Sequence, residues 1–136
     1  MTKPDSTPAP GAANFDHAGM MDRLMNDEDL IRTLLDGFLE DMPTQIGALQ
    51  ANLDAGSQSG VELKAHTIKG AASNVGGERL VQIATEIEQA GKRGDMARAS
   101  ALMAELRSRM SAFSTVAGTH LAGGENAPVA QNRAEF

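Results

Sequence analysis

The stretch Val61-Glu62-Leu63-Lys64-Ala65-His66-Thr67-Ile68-Lys69-Gly70-Ala71-Ala72-Ser73-Asn74-Val75-Gly76-Gly77 decides how the chain folds. Val61, Ala65, Ile68, Ala72 and Val75 recur every three or four residues, the period of one face of an α-helix and not the period of two that a strand requires. Each helical residue advances by about 100°, so these five side chains gather into one apolar stripe. Gly76 and Gly77 then end the helix and turn the chain.

The same period extends in both directions. Upstream, Leu30, Ile31, Leu34, Leu35, Phe38, Leu39 and Met42 form a strong amphipathic segment. Asn26 or Asp27 serves as its cap, and Glu28 and Asp29 place negative charge in the first turn, where the helix dipole favours it. Pro43 is expected to interrupt or kink this helix, with Ile46, Leu49 and Leu53 continuing beyond the bend to Gly56. Met20, Met21 and Leu24 mark a short first helix. Downstream, Leu80, Ile83, Ala84 and Ile87 form a segment closed by Gly91 and Gly94, and Ala99, Leu102, Met103, Leu106, Met110 and Phe113 form the last. Met96, Met103 and Met110, spaced by seven, read as core rather than as a recognition surface.

No segment alternates with period two, and no Asn-Gly or Asp-Gly hairpin lies between apolar runs. The expected class is therefore all-α: an up-down antiparallel four-helix bundle with an additional short N-terminal helix and flexible termini. Residues 1–14, with Pro4, Pro8, Pro10 and Gly11, read as a flexible arm, and residues 118–136, rich in Gly and polar residues, as a flexible tail. The domain is expected over residues 15–117.

Composition narrows the functions open to such a bundle. The 136 residues are enough for one core, 41% of them are hydrophobic, and only 3% are aromatic, which favours helices over sheets. Cysteine is absent, so disulfides, thiolate nucleophiles and cysteine-ligated zinc are excluded. A net charge of -6 opposes broad capture of nucleic acid and points to a protein partner. No apolar run reaches the roughly 18 residues of a membrane span, and residues 1–14 lack an apolar signal core, so a cytosolic (cytoplasmic) location is expected. The glycine pairs lack the Lys-Ser/Thr ending of a phosphate-cradling loop, leaving no visible means of binding ATP.

The chemistry concentrates on the helix quoted first. His66 projects about 150° from the centre of the apolar stripe and must point to solvent. Lys69 follows one turn later and Ser73 a further turn on, while Gly70 flanks the same outward face. A neutral imidazole is nucleophilic near neutral pH, and a neighbouring ammonium can hold incoming phosphoryl oxygens. Glycine within a helix costs about 1 kcal/mol relative to alanine, and close approach of another molecule would explain it at position 70. The plainer readings are a solvated histidine, a lysine paired with a nearby acid and a packing glycine. Leu63 and Thr67, beside His66 on the flank away from Lys69, are candidates for a docking surface, together with Ser73. His17 and His120 read as solvated, the carboxylates as helix faces and caps. Three histidines without close pairing provide no metal site.

Ala65-His66-Thr67-Ile68-Lys69-Gly70, with Gly76 ten positions after the histidine, resembles the motif of histidine-containing phosphotransfer (HPt) domains. The similarity takes in Phe15-Asp16, the acidic start at Asp27-Glu28, and Leu35, Phe38, Leu39 and Pro43, spanning roughly residues 15–113. The resemblance implies a four-helix bundle in which His66 takes a phosphoryl group from a receiver aspartate and passes it to another, with Lys69 beside the group and Gly70 giving access. It implies partners that are response-regulator receiver domains, those of a hybrid sensor kinase and of a downstream regulator, with Mg²⁺ on the receiver and no cofactor in this chain. A bundle of this kind can close its core as a monomer, and without nucleotide-binding motifs no autokinase activity is expected. Two other roles fit the same surface: a non-catalytic module that sequesters a receiver, and the phosphotransfer segment of a larger hybrid or chemotaxis-type kinase. Met1 opening a plausible arm favours an independent protein.

Overall fold

Side-chain caps and left-handed glycines divide the chain into α1 (His17–Arg23), α2 (Glu28–Asp54), α3 (Gln58–Asn74), α4 (Glu78–Lys92) and α5 (Met96–Gly123). The computed structural model describes residues 16–24 and 27–123, and among these there is no strand. Asp16, Asp27, Ser57 and Asp95 each accept a hydrogen bond from the backbone N–H three residues on, at 2.9, 3.0, 3.2 and 3.0 Å. These bonds satisfy donors that a helix start leaves without partners. Of the two expected caps for α2, Asp27 fills the position, and Asn26 lies outside the described residues, as do Phe15 and the arm at 1–14.

The last three connections, residues 55–57, 75–77 and 93–95, share one construction. Gly56, Gly76 and Gly94 take φ of 70°, 69° and 73°. The next N–H bonds back to a carbonyl five residues earlier, from Ser57 to Asn52, Gly77 to Ala72 and Asp95 to Ala90, each at 2.9 Å. This is the 6→1 bond of a helix-ending motif that needs a residue at positive φ. Such short turns set successive helices side by side, and α2 packs on α3, α3 on α4, α4 on α5 and α5 back on α2. The expected four-helix bundle with a short extra helix is the architecture formed.

The core is the sum of the stripes. Ile31, Leu35, Leu49, Val61, Ala65, Ile68, Ile87 and Leu106 are almost wholly excluded from solvent, and Phe38 meets Phe113 edge to face at 5.1 Å. Met103 is buried, and Met96 and Met110 pack against the core. Helices α3 and α4 come close at Gly91, where a Cβ would stand 3.2 Å from Val61 Cγ1 and 3.3 Å from the backbone N of Glu62. Helix α1 packs against α2, its Met20 fully buried, while the N–H of Asp16 donates to the carbonyl of Gly76 at 2.8 Å.

Two sequence expectations need correction. Of the two outcomes expected at Pro43, interruption does not occur: the proline lies inside α2, and the segment of Ile46, Leu49 and Leu53 continues the same helix. Phe38 and Met42 before the proline and Ile46 and Leu49 after it hold one buried stripe, whose packing outweighs the hydrogen bond that proline cannot donate. The domain also does not stop at Ala117, because α5 continues through Gly118 to Gly123. Arg32 draws that last turn onto α2, donating to the carbonyls of Leu121 at 2.8 Å and His120 at 3.4 Å. The guanidinium thus caps the last turn of α5 by donating to two of its carbonyls. The remainder of the expected tail, residues 124–136, lies outside the described residues.

The turn at Gly76 provides a test of how α1 is seated. A Cβ there would come within 2.8 Å of the Asp16 carbonyl oxygen, whereas at Gly94 it would meet only the end of the Gln58 side chain at 3.3 Å. Both substitutions to alanine incur the left-handed backbone cost of roughly 1–2 kcal/mol. In urea denaturation Gly76→Ala is expected to lose clearly more stability than Gly94→Ala, the excess reporting displacement of α1.

Candidate functional site

On α3 the apolar stripe turns inward and the opposite face carries the residues expected to act. The side chain of His66 is 65% exposed midway along the helix. Leu63 is 62% exposed, the most exposed of the large hydrophobic side chains among the described residues, and Thr67, Gly70 and Ser73 are also exposed. Lys69 is half-buried on the side that faces α4. The six residues singled out from the sequence thus share one surface.

The residue that organises this surface was missed. Glu88, on α4, is 4% exposed, and its carboxylate sits beneath the two basic groups. Lys69 Nζ donates to its Oε1 at 2.6 Å, and His66 Nδ1 lies 2.9 Å from its Oε2. The expectation that carboxylates serve only as helix faces and caps is therefore wrong for Glu88. Its signal was present: Glu88 borders the apolar stripe of Leu80, Ala84, Ile87 and Gly91, on the side of the small residues that admit a neighbouring helix. Choosing it over Glu86 required knowing which helix lies alongside.

Burial pushes the carboxyl of Glu88 up, and the hydrogen bonds and charges of Lys69 and His66 outweigh that, holding it below its ordinary 4.5. An ionised carboxylate can only accept, so the hydrogen on the His66–Glu88 line belongs to Nδ1. In the neutral ring the lone pair is then on Nε2. Glu88 selects the tautomer, as a carboxylate orients a catalytic imidazole. Lys69 is engaged with Glu88 in this state, so the plainer reading of a lysine paired with an acid holds, without removing its charge from the surface.

Gly70 has nothing within 4 Å of where its Cβ would stand, so packing inside the bundle does not account for it. The same openness occurs at Gly37 and Gly47, and what distinguishes Gly70 is its place one turn after His66. A shallow depression of about 360 Å³ lies beside the ring, lined by Ser59, Glu62, Leu63, His66, Glu88 and Lys92. It is an open surface rather than an enclosed pocket.

The other two histidines depart from expectation. His17 and His120 are not simply solvated: their rings lie 4.5 Å apart, and both aim Nε2 at Glu28, at 3.2 and 2.6 Å. His120 is 7% exposed. The fold pairs residues that are far apart in sequence, which spacing alone cannot reveal.

A helical bundle that offers an oriented, solvent-facing imidazole, backed by a buried carboxylate and beside an ammonium, is built to exchange a group with another protein. The family model described as "Hpt domain" matches residues 33–115, and the chain belongs to the Hpt family. Its function is accordingly histidine phosphotransfer in phosphorelays, a process in which such domains interact with receiver domains. Among solved structures it is similar to histidine-containing phosphotransfer protein B from Pseudomonas aeruginosa PAO1, with a TM-score of 0.76 and 27% identity over 82% of this chain and 96% of that one. It also shares its fold with the HPT domain of a sensor hybrid histidine kinase from Shewanella, with a TM-score of 0.62 and 22% identity over 77% of this chain and 94% of that one. No curated protein sequence matches the chain significantly. No helix among the described residues is long and apolar enough to cross a membrane.

The lowered pKa of Glu88 has a defined sign in stability. Its contribution is fully present above the ordinary value of 4.5 and is lost as pH falls through the lower value of the folded state. Glu88→Gln is expected to cost on the order of 1–2 kcal/mol near neutral pH, by removing the charge from two hydrogen bonds. The difference from the unmodified protein should shrink when urea midpoints are followed from about pH 6 to about pH 3. A constant difference would assign the loss to packing.

Proposed function

We propose that His66 is the phosphoryl acceptor and donor of this chain, reacting through Nε2. The observation that carries the proposal is the hydrogen bond from Nδ1 to Glu88 at 2.9 Å, beneath a ring 65% exposed. The Nε2 lone pair attacks the phosphorus of a receiver aspartyl phosphate. A nitrogen–phosphorus bond forms, the bond from phosphorus to the aspartate oxygen breaks, and its electron pair returns to the aspartate carboxylate. Nδ1 keeps its proton, so the ring becomes cationic, and Glu88 stabilises that charge at short range. The reverse reaction hands the group to a second receiver.

Lys69 stands one turn from the ring and directs its charge to the phosphoryl oxygens when the group arrives, shared with or released from Glu88. A divalent magnesium ion on the receiver supplies the remaining charge neutralisation, so this chain contributes the oriented imidazole and its surroundings. Leu63, Thr67 and Ser73 form the docking surface around it. The receivers of a hybrid sensor kinase and of a downstream regulator are the partners proposed, engaged by a monomer.

Incubation with a phosphorylated receiver and Mg²⁺ is expected to leave acid-labile, alkali-stable phosphate on the chain, and His66→Gln should abolish it with the fold intact by circular dichroism. Labelling that survives His66→Gln would remove the assignment. Gly70→Ala separates stability from function: among the described residues its Cβ meets no side chain or neighbouring element within 4 Å, and it should stabilise α3 by about 1 kcal/mol. The same methyl group obstructs a receiver's approach and should slow transfer by about tenfold or more. An unchanged transfer rate would show that Gly70 is not the point of access.

A further inference from the structure

The cluster of His17, Glu28 and His120 lies outside the phosphotransfer surface, and that chemistry makes no use of it. It joins three segments at one end of the bundle: the first residue of α1, the first of α2 and the last turn of α5. One ligand atom from each residue can be chosen so that all lie within 4.8 Å of one another. His17 Nε2 is 3.2 Å from Glu28 Oε1, and His120 Nε2 is 2.6 Å from Glu28 Oε2. The two rings tilt at 48° with centroids 4.5 Å apart, and a nitrogen of each reaches the same carboxylate.

We propose that His17, Glu28 and His120 form a binding site for a borderline divalent transition ion of the zinc class, which fastens α1 to the adjoining ends of α2 and α5. Two imidazoles and one carboxylate suit Zn²⁺, Co²⁺ or Ni²⁺, whereas Mg²⁺ and Ca²⁺ favour all-oxygen sets. In a tetrahedral site with bonds of about 2.0–2.2 Å, ligand atoms stand roughly 3.4 Å apart, which the existing separations approach with small side-chain adjustments. An ion takes the place of the hydrogens that otherwise link each Nε2 to the carboxylate, releasing any proton these contacts held. Three protein ligands leave a fourth position for water.

The opposing feature is Arg32, whose Nε lies 4.0 Å from Glu28 Oε2. Its guanidinium donates to the carbonyls of Leu121 and His120 and the side chain is 37% exposed, so it can keep those bonds while yielding the carboxylate. Metal binding would also tighten the seat of α1, whose cap residue Asp16 donates its backbone N–H to Gly76 at the end of the helix that carries His66.

The test uses the full chain without an added histidine tag, stripped with chelator and titrated with CoCl₂ and ZnCl₂. One equivalent of cobalt is expected to give visible bands of a low-symmetry site, displaced by zinc. Zinc about a hundredfold above its Kd should raise the thermal midpoint by on the order of 10 °C. His17→Gln, partly exposed and so least disruptive to the fold, should weaken binding by at least about tenfold, as should Glu28→Gln. His66→Gln should bind as the unmodified chain does. The proposal fails if cobalt gives no saturable spectrum. It fails equally if binding persists in His17→Gln and Glu28→Gln, or disappears in His66→Gln, with circular dichroism showing each variant folded.

Discussion

The close approach of α3 and α4 is the constraint on which the arrangement of His66, Lys69 and Glu88 rests. Gly91 removes the side chain that would press on Val61 and the backbone of Glu62, and Ala65, Ala72, Ala84 and Ala90 keep both buried faces shallow. A carboxylate on α4 can then reach beneath the outward face of α3. With bulkier residues at these positions the helices would stand further apart, and Glu88 would lose its bonds at 2.6 and 2.9 Å. Packing of small residues thus sets the tautomer of an exposed histidine.

Electrostatics on this surface divides between what is fixed and what is free to respond. Burial fixes Glu88, and an uncompensated carboxylate at that depth would be costly, so Lys69 is needed whether or not a phosphoryl group is present. The ring of His66 is restrained at one nitrogen and open at the other. Such an arrangement provides orientation without a pocket, as a group reached by the active site of another protein requires. Leu63 adds an exposed apolar surface beside the ring.

Most of the architecture was legible in the sequence because the helices report themselves locally. The spacing of Val61, Ala65, Ile68, Ala72 and Val75 fixed the inward face of α3 and therefore the outward direction of His66, and glycines marked the turns. The unread parts depended on contacts between distant segments. Glu88 lies 22 residues from His66, and Glu28 lies 92 residues from His120, so nothing in their neighbourhoods announced the pairing. Pro43 misled because a local rule was outweighed by a stripe running past it on both sides. The end of α5 was hidden because Gly118 reads as a breaker until Arg32 and Glu28 are seen to hold the turn that follows.

The equal three-residue turns at 55–57, 75–77 and 93–95 have a consequence for how the bundle is assembled and how it opens. Neighbours along the chain are neighbours in space, so three of the four helix seams close short loops, a topology of low contact order. The seam between α2 and α5 is different, joining residues from 57 positions apart at Gln50 and Arg107 to 89 apart at Arg32 and Leu121. It carries the largest closure entropy and is held at its end by Arg32, Glu28 and His120. Loosening there can release α1 and the last turn of α5 while α3 and α4 stay paired. His66 lies ten residues before Gly76, about 15 Å along the helix axis from that end, so its exposed ring is set apart from the seam.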